Sequence, residues 1–220
     1  MAYELYWGAG SPNAWRALLA LEFKGLSYDS KLLEFSKEQH KSPEMLAMNP
    51  RGQVPVLKDG DVALYESVAI MAYLDKQHAD KPLFGNTAYE TGKIWQRVFE
   101  FQNYVCESIA GIVRPVFQNA VSEKITTLNE AVIEVDTEFK ILNTQLGESD
   151  YVAGESITAA DIVLFPFVQA LSRAMVLPEA ESLNLNFKNM EKHYPNIVKW
   201  VARIELIPGY DKTYPPNWKS

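Results

Sequence analysis

The sequence predicts an α/β N-terminal domain followed by an all-α C-terminal domain. In the first third of the chain, short strand-like segments alternate with helix-like ones, and strand signals disappear after about residue 88. The length of 220 residues is sufficient for two modest domains with buried cores. We expect the domains to span residues 1–80 and 88–220, with a linker over residues 81–87 that contains Pro82 and Gly85.

The first predicted elements form a strand, a helix and a second strand. The aromatic run Tyr3–Trp7 predicts a strand that ends at a glycine-containing turn. From Pro12 the chain is rich in good helix formers, and Gly25 is placed to end the helix. Residues 27–33 predict the second strand. Because a helix lies between the two strands, we expect them to be parallel.

A hairpin and a helix complete the first predicted domain. Two apolar runs at residues 54–58 and 62–65 flank Asp59-Gly60-Asp61, and an Asp-Gly turn between apolar runs is a strong hairpin signal. The apolar spacing over residues 67–78 predicts a closing helix. The resulting order of elements is that of a thioredoxin-like fold.

The second predicted domain contains helices and a proline-rich tail. The predicted helices span residues 89–114, 122–146, 158–175 and 196–204. Thr158 and Asp161 have the spacing of a capping box in front of a very apolar helix, which favours a folding role for Asp161 over a catalytic one. The tail over residues 208–218 is too rich in proline for a helix. Its Tyr and Trp residues suggest that it packs back on the body of the protein.

Composition excludes several classes of function. The net charge of −7 lacks the basic footprint of a nucleic-acid-binding protein. A single cysteine, Cys106, excludes an intramolecular disulfide and a Cys-x-x-Cys redox pair, and three scattered histidines do not suggest a metal centre. We find no secretory signal and no apolar stretch of the roughly 20 residues that a membrane helix needs. We therefore expect a cytoplasmic protein with no metal, no nucleic-acid partner and no membrane association.

Four short motifs are spread along the chain. They are residues 11–16 (SPNAWR), 49–57 (NPRGQVPVL), 65–70 (YESVAI) and the capping-box segment 154–161. Together they resemble the glutathione transferase family, and their order and spacing match that family over nearly the whole chain. The resemblance implies a thioredoxin-like domain that binds glutathione and a helical domain that shapes the pocket for an apolar electrophilic second substrate. It also implies a role in detoxification and a homodimer.

Ser11 is the candidate catalytic residue. It lies between the first strand and the first helix, where its hydroxyl can donate to a sulfur atom and the helix N-terminus favours negative charge. Both effects would lower the pKa of the glutathione thiol from about 8.5. On position alone Ser11 also suits helix capping, and Tyr6 on the first strand is a competing donor. The serine at this position is similar to the serine-type classes (phi, theta and zeta).

The resemblance assigns the γ-glutamyl and cysteinyl parts of glutathione to two motifs. It implies a cis peptide bond between Val54 and Pro55, so that the backbone of Val54 pairs with the cysteine of the ligand as an added strand would. Ser67 would hold the γ-glutamyl carboxylate at a helix N-terminus, and Glu66 would accept from the ammonium group. Both Glu66 and Ser67 also suit a capping role.

The glycine carboxylate of glutathione would lie near a short basic pair. His40 and Lys41 are similar to the phi pattern and would hold this carboxylate, with Gln53 assisting. Gln39 takes over the role if the register differs by one or two residues. Without the motif, a His-Lys pair is usually solvated surface.

The second-substrate pocket is assembled from scattered positions. The candidates are Phe35, Tyr104, Ile112 and Phe117, although aromatic residues on helices also serve as core. We expect an enzyme that activates glutathione as a thiolate for attack on an electrophilic carbon. Two alternatives stay open: glutathione-dependent dehalogenation or isomerisation at the same site, and a non-catalytic transferase-like interaction module.

The motifs also depart from two patterns within the family. Residues 11–13 are Ser-Pro-Asn, where zeta-type members have Ser-Ser-Cys, and this departure disfavours the isomerase chemistry of that motif. A serine, rather than a cysteine, at the active position disfavours mixed-disulfide chemistry. Cys106 lies within a predicted helix, without a basic neighbour to activate its thiol, and is expected to be packing.

Overall fold

The computed structural model describes residues 3–181, 183 and 185–218, and they form two compact units. The first unit contains the chain up to Phe84 and returns from Leu206 onward, and the second spans Gly85–Glu205. The sequence assigns the C-terminal tail to the helical domain, whereas its contacts place it with the first unit. The reason is a set of aromatic contacts with Trp15, which a local reading of the sequence cannot reveal.

A mixed sheet of four strands forms the centre of the described part of the first unit. The strands are β1 (Tyr3–Trp7), β2 (Tyr28–Leu32), β3 (Val56–Asp59) and β4 (Val62–Tyr65), in the order β2-β1-β3-β4. β1 is parallel to β2 and antiparallel to β3, and β3 and β4 form an antiparallel hairpin. The predicted parallel pair, hairpin and thioredoxin-like layout are therefore confirmed.

One end of each of the four strands lies at the same edge of this sheet. Trp7 pairs with Leu32 at the carboxyl ends of β1 and β2. Tyr6 lies opposite Val56 at the start of β3, and Val56 pairs in turn with Tyr65 at the end of β4. The chain segments that enter and leave the sheet at this edge therefore lie near one another, and all the binding motifs expected in the N-terminal domain belong to them.

Three helices of the first unit, α1 (Pro12–Lys24), α2 (Pro43–Met48) and α3 (Ser67–Gln77), connect the strands or follow them. α1 begins after Ser11 and ends at Gly25, whose φ of 68° lies in the left-handed region that glycine adopts without strain. β3 begins at Val56 instead of the expected residue 54, because Pro55 has no N–H to donate to a ladder.

Helices make up most of the second unit. They are α4 (Ala88–Glu100), α5 (Cys106–Phe117), α6 (Ile125–Gln145), α7 (Ala159–Met175), α8 (Met190–His193) and α9 (Pro195–Ile204). The expectation of a single helix over residues 89–114 is wrong in one respect, because a π-helical turn at Phe101–Val105 separates α4 from α5. No helix in the described ranges is both long and apolar enough to cross a membrane.

The C-terminal tail contains a turn of α-helix, α10 (Tyr210–Thr213), and a 3₁₀ turn at Pro216–Trp218. The expectation that the tail has no helix is wrong for α10. The prolines of the tail lie on either side of α10, at Pro208, Pro215 and Pro216, so none of them interrupts it.

The predicted capping box is present at the start of α7. Asp161 has no exposed surface, and its Oδ2 atom accepts from the backbone N–H and the hydroxyl of Thr158 at 2.8 and 2.9 Å. Its Oδ1 atom accepts from the N–H of Val152 at 3.0 Å and from the indole of Trp200 at 2.9 Å. Burial raises the pKa of Asp161, and these donors oppose that effect. Asp161 therefore ties α7 to α9 and to the preceding loop.

Replacing Asp161 with alanine is expected to destabilise the protein severely. The substitution leaves buried donors of Val152, Thr158 and Trp200 without an acceptor, so the free energy of unfolding should fall by about 3 kcal/mol or more. Urea denaturation followed by circular dichroism measures this loss. The matched control is Glu130→Ala, an exposed carboxylate on α6, which should change stability by less than about 0.5 kcal/mol. Equal losses in the two variants would contradict the role of Asp161.

Candidate functional site

Ser11 lies in the tight turn between β1 and α1. Its N–H donates to the carbonyl of Gly8 at 3.2 Å, its Oγ accepts from the N–H of Ala14 at 3.3 Å, and its carbonyl accepts from the N–H of Trp15 at 3.0 Å. Ser11 is therefore the N-cap of α1, and it is half-buried. A serine hydroxyl that accepts one hydrogen bond still has its own proton to donate. Capping is thus compatible with donation to a ligand.

The competing donor, Tyr6, is engaged elsewhere. Its side chain is buried against Met45 and Val56, and its hydroxyl donates to Oε2 of Glu4 at 3.2 Å. Burial, followed by the neighbouring Glu4 carboxylate, raises the pKa of Tyr6. The Tyr6 proton is therefore held by a carboxylate.

The loop before β3 holds Val54 and Pro55 at the same edge of the sheet. The Val54-Pro55 peptide bond is cis. The N–H and C=O of Val54 have no hydrogen-bond partner among the described residues. Asn49, which is buried, organises this loop: its Nδ2 donates to the carbonyl of Gln53 at 2.8 Å and its Oδ1 accepts from the N–H of Arg51 at 3.1 Å. Sequence reasoning gave Asn49 no role, although it begins the second motif.

Glu66 and Ser67 form the junction between β4 and α3. Glu66 has a φ of 69°, a region that residues other than glycine seldom occupy and that costs of order 1–3 kcal/mol. Its side chain is exposed, with Oε1 at 4.0 Å from Nε of Arg51. Ser67 is the first residue of α3 and is buried. The backbone is therefore strained at this junction.

Arg16 connects the N-terminal ends of α1 and α3. Its side chain is 3% exposed, and Nη1 donates to Oδ1 of Asn13 at 2.8 Å and to Oγ of Ser67 at 3.4 Å. This bridge places the turn that carries Ser11 close to the helix end that carries Ser67. Arg16 was missed as a functional candidate, although the first motif contains it.

Lys41 and His40 lie in a short 3₁₀ turn, Gln39–Lys41, after β2. Nζ of Lys41 is 2.7 Å from Oε1 of Glu38, and this hydrogen bond lowers the pKa of Glu38. The ring of His40 meets Phe35 edge-on, with 5.0 Å between centroids, and its Nδ1 atom is buried without a partner among the described residues. Lys41 is exposed, and its ammonium group is paired with Glu38 at the surface.

The basic pair lies beside the loop that carries Gln53. A Cβ on Gly52 would lie 3.4 Å from Cγ of Lys41, an ordinary packing distance, and the φ of Gly52 is 58°, a region that favours glycine. Gln53 itself is exposed. By contrast, the Gln39 side chain accepts from the N–H of Glu34 at 2.8 Å, which commits it to its own turn.

The four apolar candidates are divided between the units. Phe35 lies in the first unit, where its ring covers Gly8 so closely that a Cβ there would lie 2.1 Å from Cζ of the ring. Tyr104, Ile112 and Phe117 lie in the second unit, where Tyr104 and Phe117 are exposed. Ile112 has no exposed surface, so its side chain cannot line an open pocket in this structure, and we withdraw it as a candidate.

The chain matches two family models. The model described as "Glutathione S-transferase, N-terminal domain" matches residues 1–76, and "Glutathione S-transferase, C-terminal domain" matches residues 105–208. Glutathione S-transferase A of Pleuronectes platessa is 32% identical, over 97% of this chain and 92% of that protein. A glutathione S-transferase structure from the Antarctic clam Laternula elliptica has a TM-score of 0.82 and 34% identity, over 100% of this chain and 95% of the clam chain. Elongation factor 1-gamma 2 of Oryza sativa subsp. japonica is 30% identical, and the match covers 98% of this chain but only 53% of the rice protein.

The positive φ of Glu66 predicts an unusual order of stability for two variants. Glycine normally destabilises a protein relative to alanine, but at this position it removes the backbone strain. The free energy of unfolding of Glu66→Gly should therefore be about 1 kcal/mol higher than that of Glu66→Ala. Both variants lack the carboxylate, so the comparison isolates the backbone. Urea denaturation of the two proteins measures the difference, and a less stable glycine variant would show that the junction is not strained.

Proposed function

Because the chain belongs to the glutathione S-transferase family and is a glutathione transferase, we propose that Ser11 activates the thiol of glutathione at the edge of the sheet. The observation that carries this proposal is the geometry of Ser11, which caps α1 through its oxygen and keeps its hydroxyl proton available. The engagement of the Tyr6 hydroxyl by Glu4 supports Ser11 over its competitor.

The proposed mechanism depends on stabilising a thiolate. The Ser11 hydroxyl donates to the sulfur, and the N-terminal end of α1 adds favourable partial positive charge. Both lower the pKa of the bound thiol, whose proton passes to solvent. The sulfur then forms a bond to the electrophilic carbon of the second substrate, and with an aryl halide the halide ion leaves with the electron pair of the bond that breaks. Binding both reactants in one site removes much of the entropic cost of their encounter.

The remaining parts of glutathione are assigned to neighbouring segments of the same edge. The N–H and C=O of Val54 have no hydrogen-bond partner in the described part of the chain, which supports a role in pairing with the cysteine backbone of the ligand, next to Pro55. Ser67 and the N-terminus of α3 hold the γ-glutamyl carboxylate, and Glu66 accepts from the ammonium group. The buried Arg16 beside Ser67 adds positive charge at this end.

The glycine carboxylate is assigned to the basic turn. Lys41 supplies the charge, His40 supplies a ring nitrogen, and Gln53 assists from the adjacent loop. The packing of Lys41 against Gly52 supports this grouping. Release of Lys41 from Glu38 accompanies binding in this proposal, because one ammonium group then serves the ligand carboxylate.

The electrophilic substrate is proposed to be apolar and to contact Phe35. The ring of this residue lies against Gly8, three residues before Ser11, and 41% of Phe35 is exposed. Tyr104 and Phe117 remain predictions from the sequence.

The proposal extends to the whole protein, which we expect to be a cytoplasmic homodimer that detoxifies apolar electrophiles. An exposed apolar surface on α4 supports a second copy as partner: Trp95 and Phe99 stack with 5.6 Å between centroids, and more than half of Phe99 is exposed. Light scattering coupled to size exclusion measures the mass, which a dimer doubles.

The similarity to elongation factor 1-gamma 2 favours a second candidate, an interaction module without catalysis. Binding of glutathione separates the two. A protein that binds no glutathione at millimolar concentration, by calorimetry, would be such a module, whereas binding and conjugation support the enzyme.

Ser11→Ala is expected to slow conjugation of glutathione to an aryl halide by about 10- to 100-fold at neutral pH, since a hydrogen bond to a charged group contributes about 1.5–3 kcal/mol. Loss of this bond destabilises the thiolate, so the pKa of the bound thiol should rise by about one to two units. The two rates should therefore converge above that raised pKa. Profiles of kcat/KM against pH measure the shift.

The control for this experiment is Tyr6→Phe, which removes the competing hydroxyl and should leave the profile in place. If instead Tyr6→Phe shifts the profile and Ser11→Ala does not, the activating role passes to Tyr6.

Lys41→Gln is expected to raise KM for glutathione by about 3- to 10-fold with kcat little changed, because a charged contact to a remote part of the ligand is lost. Added salt should reduce the difference between the variant and the parent protein. Lys37→Gln is the matched control, since Lys37 is also exposed and pairs with a carboxylate three residues earlier, Glu34. Steady-state kinetics with varied glutathione measures both, and equal effects would contradict a specific role for Lys41.

A further inference from the structure

The C-terminal strap, defined here as residues 209–218, packs along α1. Its contacts centre on Trp15, which is 3% exposed. The Trp15 ring stacks on Tyr210 with 6.3 Å between centroids and meets the rings of Tyr214 and Trp218 edge-on at 5.7 and 5.6 Å. The Tyr214 and Trp218 rings also contact each other, at 6.1 Å. Three aromatic residues of the strap thus surround one side chain of α1.

Hydrogen bonds hold this cluster in register. The indole N–H of Trp15 donates to Oγ1 of Thr213 at 2.8 Å, and the Thr213 hydroxyl donates to the carbonyl of Tyr210 at 2.8 Å. Thr213 has no exposed surface. A buried indole N–H needs an acceptor, so this pair fixes where the strap meets the helix.

The strap reaches both ends of α1. At the C-terminal end, Lys212 pairs with Glu22 at 3.4 Å, and Gly209 approaches Glu22 so closely that a Cβ would lie 1.9 Å from Oε2. At the N-terminal end, Asn217 and Trp218 come to within 3.9 Å of the Cβ position of Gly10, the residue before Ser11. The strap therefore ends beside the turn that carries the proposed catalytic residue.

We propose that the C-terminal strap positions the Ser11 hydroxyl, with Trp15 as the positioning residue and Trp218 as its main partner. This proposal rests on the proposed role of Ser11. The backbone N–H of Trp15 donates to the carbonyl of Ser11 at 3.0 Å. The residue on which the strap packs is therefore hydrogen-bonded to Ser11. Gly10, on the other side of Ser11, lies beside the end of the strap: a Cβ on Gly10 would be 3.9 Å from Nε1 of Trp218.

The placement of these contacts explains why they matter for the reaction. Helix ends fray more readily than helix interiors, and Ser11 lies at such an end. A donor that stabilises a thiolate must be held within about 0.5 Å of its productive position. The strap restrains Ser11 through Trp15, whose N–H binds the Ser11 carbonyl, and it ends beside Gly10, without occupying the hydroxyl itself.

The test is a set of variants of the full chain, with the pKa of the bound glutathione thiol as readout. Trp218→Ala should raise this pKa by about half a unit or more, and it should lower kcat by about 3- to 10-fold below the raised pKa. KM for glutathione should stay within about twofold, because the groups that bind the two ends of the ligand are not touched. Trp218→Phe keeps an aromatic partner for Trp15 and should restore most of the loss.

Two further variants separate positioning from general destabilisation. Leu74→Val removes volume from the buried face of α3, far along the helix from Ser67, and should lower stability without shifting the thiol pKa. Thr213→Val removes the acceptor of Trp15 at nearly constant volume and should shift the pKa in the same direction as Trp218→Ala. Thr213→Val also keeps the test decisive if Trp218→Ala does not fold.

A double variant tests whether the strap acts through Ser11. If the strap acts through the Ser11 hydroxyl, Trp218→Ala should add no further pKa shift to Ser11→Ala. A shift of equal size in both backgrounds, no shift in Trp218→Ala and Thr213→Val, or the same shift in Leu74→Val would each overturn the strap proposal. Failure of the function itself is distinguishable, because Ser11→Ala alone would then leave the pKa of the bound thiol unchanged.

Discussion

The hydrogen bonds of Arg16 are the constraint on which the candidate site depends. A guanidinium group with 3% exposure must find polar partners, because burying a charge without them is very costly. Two of its partners are Asn13, in the first turn of α1, and Ser67, the first residue of α3. Satisfying this one side chain therefore brings together two helix N-termini, each of which presents N–H groups and partial positive charge. An anionic ligand with carboxylate and thiolate groups suits such a site.

Residues of the site also serve the fold. Ser11 caps α1, Asn49 holds the loop before β3, and Ser67 accepts from Arg16. These contacts use the side-chain oxygens of Ser11 and Ser67 and the buried amide of Asn49. Among the described residues, by contrast, nothing accepts the Ser11 hydroxyl proton or pairs with the backbone of Val54. The division is physically sensible, because a side chain held by the fold loses little conformational freedom when a ligand binds.

Local signals in the sequence predicted much of the first unit. Pro12 and Gly25 mark the limits of α1, and the Asp59-Gly60 turn marks the hairpin, because each of these residues restricts its own backbone. The role of Arg16 could not be predicted in this way, and although the Tyr and Trp residues of the tail suggest that it packs back on the body, they do not identify Trp15 as its partner. The indole of Trp15 and its acceptor Thr213 are 198 residues apart, and no local preference encodes such a contact. For the same reason, a periodic apolar pattern could not separate a buried Ile112 from a pocket residue.

Two departures from ordinary backbone and side-chain preferences lie among the candidate binding residues. Glu66 has a positive φ, and Nδ1 of His40 is buried without a partner among the described residues. A folded chain keeps such costs where the surrounding structure enforces them, and they concentrate at functional sites. Both belong to segments at the edge of the sheet where Val56 pairs with Tyr65 and Trp7 with Leu32. The strap packs on the same unit and ends beside Gly10 at that edge. The strained junction and the restrained helix end are thus parts of one arrangement, in which packing elsewhere in the unit holds groups ready for a ligand.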